Sequence, residues 1–158
     1  MLNLDSPRWA QLSQAFGSAE DIPKLIAALS SVPEEAARAE VWFALWRMLW
    51  SPDAVFDAAY AAVPHLLPIV ETYALGERVQ AIHLAMRVEL LRRGPMAPPM
   101  PADLLAPYAA AIDSLPLAVL HCADLPWSPE VAQIFAAALL VGKRQPDLAA
   151  EVLSLGEE

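Results

Sequence analysis

The sequence predicts an all-α fold made of repeated helical units. Three observations support this: a proline that recurs at a nearly constant interval, a composition that suits helices, and helix start and stop signals along the chain. The 158 residues are 57% hydrophobic, and much of that fraction is alanine, a strong helix former. The chain has only 5 glycines but 15 prolines, as expected of short helices separated by stiff corners. β-Branched residues, which favour strands, are few.

The recurring proline follows an apolar residue and precedes an apolar run at Pro23, Pro64 and Pro107, which are 41 and 43 residues apart. Proline is well tolerated in the first turn of a helix, where its missing N–H costs no hydrogen bond. Helical repeats of the HEAT and armadillo type have periods of about 40 to 47 residues. The spacing therefore predicts one helix start that is reused in a short right-handed superhelix of this type.

The first predicted unit covers about residues 5–50. Ser6 and Pro7 form a helix start, and Gly17 ends that helix with Phe16 on its buried face. Acidic residues after Pro33 suit the first turn of a long helix, because its N-terminus is partially positive. Helices are predicted over about residues 7–16, 22–31 and 33–50.

The second predicted unit covers about residues 51–93, after a break at Ser51 and Pro52. Its last helix begins at Glu77, 43 residues after Glu34 in the first unit, so the repeat has three helices and is closer to armadillo than to a two-helix repeat. Helices are predicted over about residues 53–62, 63–73 and 77–93.

The third unit, about residues 101–155, follows a stiff connector over residues 94–101 and is irregular. Terminal repeats of helical arrays are usually atypical because they close an open end. We therefore predict a single helical-repeat domain over residues 1–158. Helices of this unit are predicted over about residues 107–114, 116–124, 129–141 and 146–155.

The charge balance favours a basic partner. The net charge is −9, from 19 acidic and 10 basic residues. Nucleic acid requires a basic stripe, which argues against a nucleic-acid partner, whereas an acidic surface attracts a basic protein.

We also expect no membrane span, because the apolar runs are shorter than about 20 residues. Without a signal-peptide pattern, and with Cys122 as the single cysteine, the expected compartment is the cytoplasm.

Three segments resemble a family of uncharacterised bacterial HEAT-repeat-like proteins. They are Leu4–Trp9 (Leu-Asp-Ser-Pro-Arg-Trp), Phe16–Pro23 (Phe-Gly-Ser-Ala-Glu-Asp-Ile-Pro) and Ala58–Leu66 (Ala-Ala-Tyr-Ala-Ala-Val-Pro-His-Leu). The similarity covers about residues 4–74. It implies a cytoplasmic bacterial protein and, more weakly, an immunity-like or toxin-associated adaptor; it defines no catalytic residue.

The sequence suggests one small polar site but no catalytic chemistry. His65, in the first turn of its predicted helix, would be neutral there and could join Tyr60 and Asp57; alternatively it satisfies backbone groups at a turn. His83 lies on an apolar face and is predicted to be a core residue. One cysteine and three scattered histidines do not form a zinc site, and no nucleotide-binding or hydrolase motif is present. We predict no catalytic residue, no cofactor and no metal.

Aromatic and acidic residues supply the candidate binding surface. Trp42, Trp46 and Trp50 recur at four-residue spacing, which is typical of core packing between repeats but would form a binding hot spot if exposed. Trp50 and Trp127 lie beside proline-containing corners and are the most exposed candidates. The predicted protein-binding residues are Trp50, Asp53, Asp57, Tyr60 and Trp127.

These features favour a non-catalytic protein–protein interaction module, in particular an immunity-like protein that masks a basic toxin domain with an acidic surface. One alternative is a structural homo-oligomeric subunit, which would expose a large apolar patch. Another is a helical-repeat enzyme such as a DNA glycosylase, which the acidic charge disfavours because a basic groove is needed.

Overall fold

The computed structural model describes residues 1–155, the side chain of Val70 excepted, and these residues are mostly helical. The predicted all-α class is therefore confirmed. The α-helices are α1 (Ile22–Ser31), α2 (Glu35–Leu49), α3 (Asp57–Leu66), α4 (Leu75–Leu91), α5 (Ala102–Asp113), α6 (Leu115–Leu120), α7 (Pro129–Gly142) and α8 (Pro146–Ser154). Short 3₁₀-helices cover Pro7–Gln11 and Leu67–Glu71, and two-residue strands form β1 (Ser13–Gln14), β2 (Gly17–Ser18), β3 (Trp50–Ser51) and β4 (Ala54–Val55).

Helices with a clear N-terminal signal and a clear stop were predicted well. Helix α1 has the predicted bounds, and α2, α4, α7 and α8 begin and end within two residues of prediction. In α7, the Ser128 hydroxyl accepts the Val131 N–H at 3.3 Å, and Pro129 occupies the first helical position. Cap and proline thus fix this start as the sequence indicated.

The first predicted helix, over residues 7–16, is wrong. The chain forms one 3₁₀-helix and then turns back in the β1–β2 hairpin, with Ser13 opposite Ser18. Gly17 has φ +136°, a backbone conformation that favours glycine. The Gln14 side chain bonds the Phe16 N–H at 2.9 Å and the Ser18 carbonyl at 3.3 Å, which stabilises the turn. Phe16, expected on a buried face, is 67% exposed.

A second hairpin, β3–β4, displaces the next predicted helix start from residue 53 to Asp57. Trp50 pairs with Val55 and Ser51 with Ala54, so Pro52 and Asp53 form the turn. The Trp50 end of the stripe therefore belongs to a strand and not to α2.

The recurring proline does not mark a reused helix start. Pro23 lies in the first turn of α1, as predicted, but Pro64 and Pro107 lie inside α3 and α5. An internal proline removes one helical hydrogen bond, and burial of the surrounding apolar residues can offset that loss. This is most evident for α3, in which eight of ten residues are buried.

The core lies between α3 and α4 and the helices around them. Helix α3 contacts α1, α5 and α4, while α4 also contacts α7, which packs against α6 and α8. Alanines at buried positions of α3 and α4 allow neighbouring backbones to approach closely. Those alanines are Ala58, Ala59, Ala61, Ala62, Ala81 and Ala85.

The N-terminal segment and the connector both pack onto this core. Arg8 forms an ion pair with Asp103 at the start of α5, with Nε to Oδ2 3.1 Å. The connector over residues 94–101 packs Ala97 and Met100 against the core and accepts the Tyr60 hydroxyl at the Pro98 carbonyl. It is therefore a fixed part of the domain and does not act as an extended spacer.

Residues Ala102–Leu120 form a stretch of 19 residues that contains an 18-residue window with a mean hydropathy of 1.4. By length and composition alone this stretch could cross a membrane, and the expectation of no span did not take it into account. It forms α5 and α6, which are separated at Ser114, and 39% of the scored window is buried.

Candidate functional site

Tyr60 is a core residue, so its prediction as a binding residue is wrong. It is 1% exposed, its ring contacts Tyr108 edge to face at 5.4 Å, and its hydroxyl donates to the Pro98 carbonyl at 3.1 Å. Burial raises the pKa of Tyr60 to about 12. The hydroxyl is therefore a neutral donor that fixes the connector.

The two predicted acidic residues do not form one acidic edge. Asp53 is exposed in the turn of the β3–β4 hairpin. Asp57 begins α3, and its Oδ1 accepts the Ser13 N–H at 2.5 Å, which holds the β1–β2 hairpin against α3. Only Asp53 is left free of this structural role and exposed to a partner. The expected spacing of one helical turn fails because Asp53 lies before the helix.

His65 does not join Tyr60 and Asp57 in a polar site. It lies in the last turn of α3, and its Nε2 donates to the Leu2 carbonyl at 2.7 Å. The helix N-terminus proposed to keep it neutral is therefore the wrong cause; burial lowers its pKa instead. His65 lines an open cavity of about 830 Å³ beneath the N-terminal segment, where it holds that segment in place.

Trp127 is 40% exposed, as expected for a residue beside a proline corner. Its indole N–H donates to the Cys122 carbonyl at 2.8 Å, and its ring contacts Phe135 edge to face at 5.0 Å. These contacts belong to the α6–α7 loop and α7. Cys122 is itself buried, and burial raises the pKa of its thiol, which makes it a poor nucleophile.

Trp50 is half-buried and belongs to a line of aromatic rings. Its ring contacts Trp46 edge to face at 5.4 Å, and Trp46 contacts His83 at 5.0 Å. The Arg87 guanidinium lies 6.0 Å from the Trp50 ring, and its Nε donates to His83 Nε2 at 3.1 Å. Burial, and secondarily Arg87, lower the pKa of His83 to about 4, so the imidazole stays neutral and accepts this hydrogen bond.

Two exposed phenylalanines extend this line, and sequence reasoning missed both. Phe16 is 67% exposed and Phe43 is 60% exposed. Their rings lie 5.5 and 5.6 Å from the Arg47 guanidinium, which they flank. We call these two residues, together with Trp46, Arg47 and Trp50, the aromatic surface. The four-residue spacing of Phe43 and Arg47 on α2 was a usable signal, whereas Phe16 was assigned to a helix that does not form.

Open cavities adjoin the aromatic surface on two sides. One, of about 340 Å³, is lined by Trp46, Arg47, Trp50, Ser51 and Pro52. The other, of about 440 Å³, runs between α2 and α4; we call it the α2–α4 groove. Its lining residues are Glu35, Ala39, Trp42, Phe43, Trp46, Gly76, Glu77 and Gln80. Both volumes lie within the usual range for ligand pockets, about 300 to 1,000 Å³.

The buried polar groups elsewhere have structural partners. Glu89 is 2% exposed and accepts the Tyr108 hydroxyl at 3.0 Å, Arg92 Nη2 at 2.8 Å and Arg93 Nη2 at 3.1 Å. We call Glu89, Arg92, Tyr108 and Tyr60 the tyrosine network.

Among residues 1–155, no group of three or more histidine, cysteine, aspartate or glutamate side chains is placed to hold a metal ion.

Trp50 of the aromatic surface and its neighbour Trp42 have unpaired indole N–H groups. Within the described part of the chain, the Nε1 atoms of Trp42 and Trp50 are buried and have no hydrogen-bond acceptor. An unmade hydrogen bond at a buried donor costs about 1–3 kcal/mol. Buried hydrogen-bond donors on this side of the molecule are therefore less completely paired than those of the tyrosine network.

Comparison with protein-family models, curated proteins and solved structures found no match to this chain.

Proposed function

We propose that the protein is a non-catalytic protein-binding module whose partner docks on the aromatic surface. The observation that supports this best is the exposure of Phe16 and Phe43, 67% and 60%, beside half-buried Trp46 and Trp50. Tryptophan and arginine are enriched among residues that dominate binding energies, and a ring of neighbouring contacts excludes water from them. Such a surface binds another protein without catalytic groups.

The partner is basic in this proposal, since the net charge is −9. Exposed carboxylates lie on the elements that form the aromatic surface: Glu35 and Glu40 on α2, and Asp53 in the β3–β4 hairpin. They would accelerate association with a positively charged domain and suppress acidic competitors. The specific form we propose is an immunity-like cytoplasmic protein that masks a basic toxin domain.

The test is a measured dissociation constant for the main stoichiometric partner captured from the native host and then purified. Phe43→Ser and Trp46→Ala should each weaken binding, by about 10-fold or more if they are hot-spot residues. Leu120→Ser is the matched control, because Leu120 is 65% exposed on α6, outside the aromatic surface. Unchanged affinity for Phe43→Ser and Trp46→Ala, or an equal loss for Leu120→Ser, would contradict the proposal.

A homo-oligomeric subunit is the second candidate, and a different observation favours it. Leu105 on α5 and Leu117 and Leu120 on α6 are 55%, 53% and 65% exposed. Exposed leucines of this kind can form a self-complementary dimer interface. Light scattering distinguishes the two candidates: a dimer that Leu120→Ser converts to a monomer supports the second, and a monomeric parent protein excludes it.

We also propose that the helices form a HEAT-like superhelix and that the chain is related to the bacterial HEAT-repeat-like family. Packing of successive helices supports it: α1 packs on α2, α3 on α4 and α7 on α8. The Arg8–Asp103 ion pair is a departure, since repeats in a linear array contact only their neighbours. A crystal structure in which residues 5–50 and 51–93 superpose by a screw rotation would support the superhelix, and failure to superpose would refute it.

A further inference from the structure

The lining of the α2–α4 groove is aromatic and acidic. Trp42, Phe43 and Trp46 supply its rings, Glu35 and Glu77 its carboxylates, and none of its eight lining residues is basic. Aromatic faces carry partial negative charge and attract cations, and a neighbouring carboxylate adds to that attraction. The lining therefore complements a cation with an apolar stem.

The two carboxylates of the groove differ in whether a basic side chain pairs with them. Glu77 is 7% exposed and is held by Arg38, with Nε to Oε1 2.6 Å and Nη2 to Oε2 3.2 Å, so its charge is largely neutralised. Glu35 is exposed in the first turn of α2, and within residues 1–155 no basic side chain pairs with it. Glu35 is thus the carboxylate of the groove that forms no ion pair, although it lies close enough to Arg38 to raise the pKa of that guanidinium.

The aromatic wall is fixed before any ligand binds. The Trp46 indole N–H donates to Gln80 Oε1 at 2.6 Å, and the ring is packed edge to face against Trp50 and His83. A ring held by a hydrogen bond and two ring contacts loses little freedom on binding, which favours affinity. Gly76 forms part of the opposite side, where an added Cβ would meet no atom within 4 Å, so the groove has free space there.

We propose that the α2–α4 groove binds an arginine side chain of the partner, with its alkyl chain over Phe43, its guanidinium against Trp46 and its charge near Glu35. The planar guanidinium stacks on aromatic rings and is more weakly hydrated than the ammonium of lysine, so arginine is favoured over lysine. The groove volume of about 440 Å³ accommodates the side chain and part of its backbone. The identity of the ligand as part of a protein rests on the proposed function; the preference for the cation rests on the groove.

The test uses the full chain and three peptides of the form acetyl-Gly-Gly-X-Gly-Gly-amide, where X is arginine, lysine or citrulline. Citrulline keeps the shape of arginine and removes its charge. Binding is followed by the NMR shift of the Trp46 indole N–H, identified as the signal missing from Trp46→Phe. We expect the arginine peptide to shift this signal with millimolar affinity. The citrulline peptide should bind at least about 5-fold more weakly. Lysine should bind between the two.

Variants of the groove test separately whether binding needs its free space and whether it needs its negative charge. Gly76→Leu should fill the groove and abolish the shift, whereas Gly76→Ala, which leaves space, should bind like the parent protein; circular dichroism checks that both are folded. Glu35→Gln should weaken binding about 2- to 5-fold, as for one exposed charge pair, and Glu151→Gln, exposed on α8 and outside the groove, should not. Equal binding of citrulline and arginine, full binding by Gly76→Leu, or no shift with any peptide overturns the proposal.

The outcomes also separate this proposal from the proposed function. If the arginine peptide fails to bind but the affinity of the purified partner still depends on Phe43 and Trp46, the groove proposal alone fails. If the peptide binds as expected but the partner ignores Phe43→Ser and Trp46→Ala, the aromatic surface is not the docking site and the proposed function fails instead.

Discussion

The tyrosine network and the aromatic surface both combine aromatic rings with arginine but have opposite roles. In the network, Tyr108 is 1% exposed and Glu89 2% exposed, and the carboxylate is satisfied by arginine and tyrosine donors. On the aromatic surface, Phe43 is 60% exposed and Arg47 is flanked by rings. Burial and completed hydrogen bonding distinguish a structural cluster from a surface that is available to a partner, and residue type does not.

Removing Glu89 should have the largest effect on stability. Glu89→Ala leaves two arginines and a buried tyrosine hydroxyl without their acceptor, and breaking a buried ion pair from one side costs about 3–5 kcal/mol. Denaturant unfolding gives the free energy. Glu40→Ala, on the exposed side of α2, should change it by less than about 0.5 kcal/mol. A loss of under about 1 kcal/mol for Glu89→Ala would show that the network is not a major source of stability.

The lowered pKa of His83, beside the aromatic surface, should make the stability of the protein fall as pH falls. Its pKa is about 4 in the folded protein against about 6.5 in the unfolded chain, so between these values the unfolded state binds more protons and stability falls as pH falls. The shift corresponds to about 3 kcal/mol once pH is below 4. Unfolding free energies of the parent and His83→Gln, measured from pH 7 to 4, should differ in slope. His121→Gln, at an exposed position, serves as the control; identical slopes for all three proteins would contradict the assignment.

The two tyrosines of the network should respond unequally to loss of the hydroxyl. Tyr108 donates to a carboxylate, and a hydrogen bond to a charged group contributes about 1.5–3 kcal/mol, whereas Tyr60 donates to the neutral Pro98 carbonyl, a bond of about 0.5–1.5 kcal/mol. Tyr108→Phe should therefore destabilise more than Tyr60→Phe. Denaturant midpoints measured in parallel check the order, and the reverse order would mean that fixing the connector matters more than the buried charge.

Asp57→Ala should have a smaller effect that is local to the N-terminus. The carboxylate accepts the Ser13 N–H, and its loss should cost about 1 kcal/mol, as for a lost capping hydrogen bond. Hydrogen exchange at Ser13 should accelerate more than exchange in α4. Asp53→Ala provides the control in the hairpin turn, and uniform acceleration across both regions would indicate a global effect.

Phe43→Ser should have the smallest effect on stability, because a side chain that is 60% exposed loses little buried area. The expected change in unfolding free energy is within about 0.5 kcal/mol. Together with a large loss of partner binding, this result would separate the roles of the two regions. Strong destabilisation by Phe43→Ser would assign Phe43 to the core and weaken the comparison.

Local signals in the sequence predicted most helices but not the hairpins. Ser128 and Pro129 define the start of α7 by cap chemistry that depends only on neighbours, so the sequence shows it. The β1–β2 hairpin depends on a Gln14 side chain that bonds two backbone groups and on Asp57, 44 residues away. The predicted helix starts at Pro64 and Pro107 were wrong because burial of α3 and α5 outweighs the local preference of proline for the first turn of a helix.

The candidate site was predicted only in part, because local sequence signals indicate some exposed positions but not contacts between distant residues. Trp127 was expected to be partly exposed beside a proline-containing corner, and it is 40% exposed. Asp53 is exposed, but it lies in a hairpin turn and not at the predicted helix start. Tyr60 was misassigned because its partner Tyr108 lies in a later helix, beyond the reach of any local pattern. Phe16 could be found only once the hairpin that exposes it was known.

The contacts of the N-terminal segment also set an order of events during synthesis. Leu2 bonds His65, Ser13 bonds Asp57 and Arg8 pairs with Asp103, so these early residues leave the ribosome long before their partners do. At about 5–20 residues per second, the delay until Asp103 emerges is several seconds or more. Until then the ion pair that ties Arg8 to α5 cannot form, so this segment, although translated before its partners, is among the last to be secured.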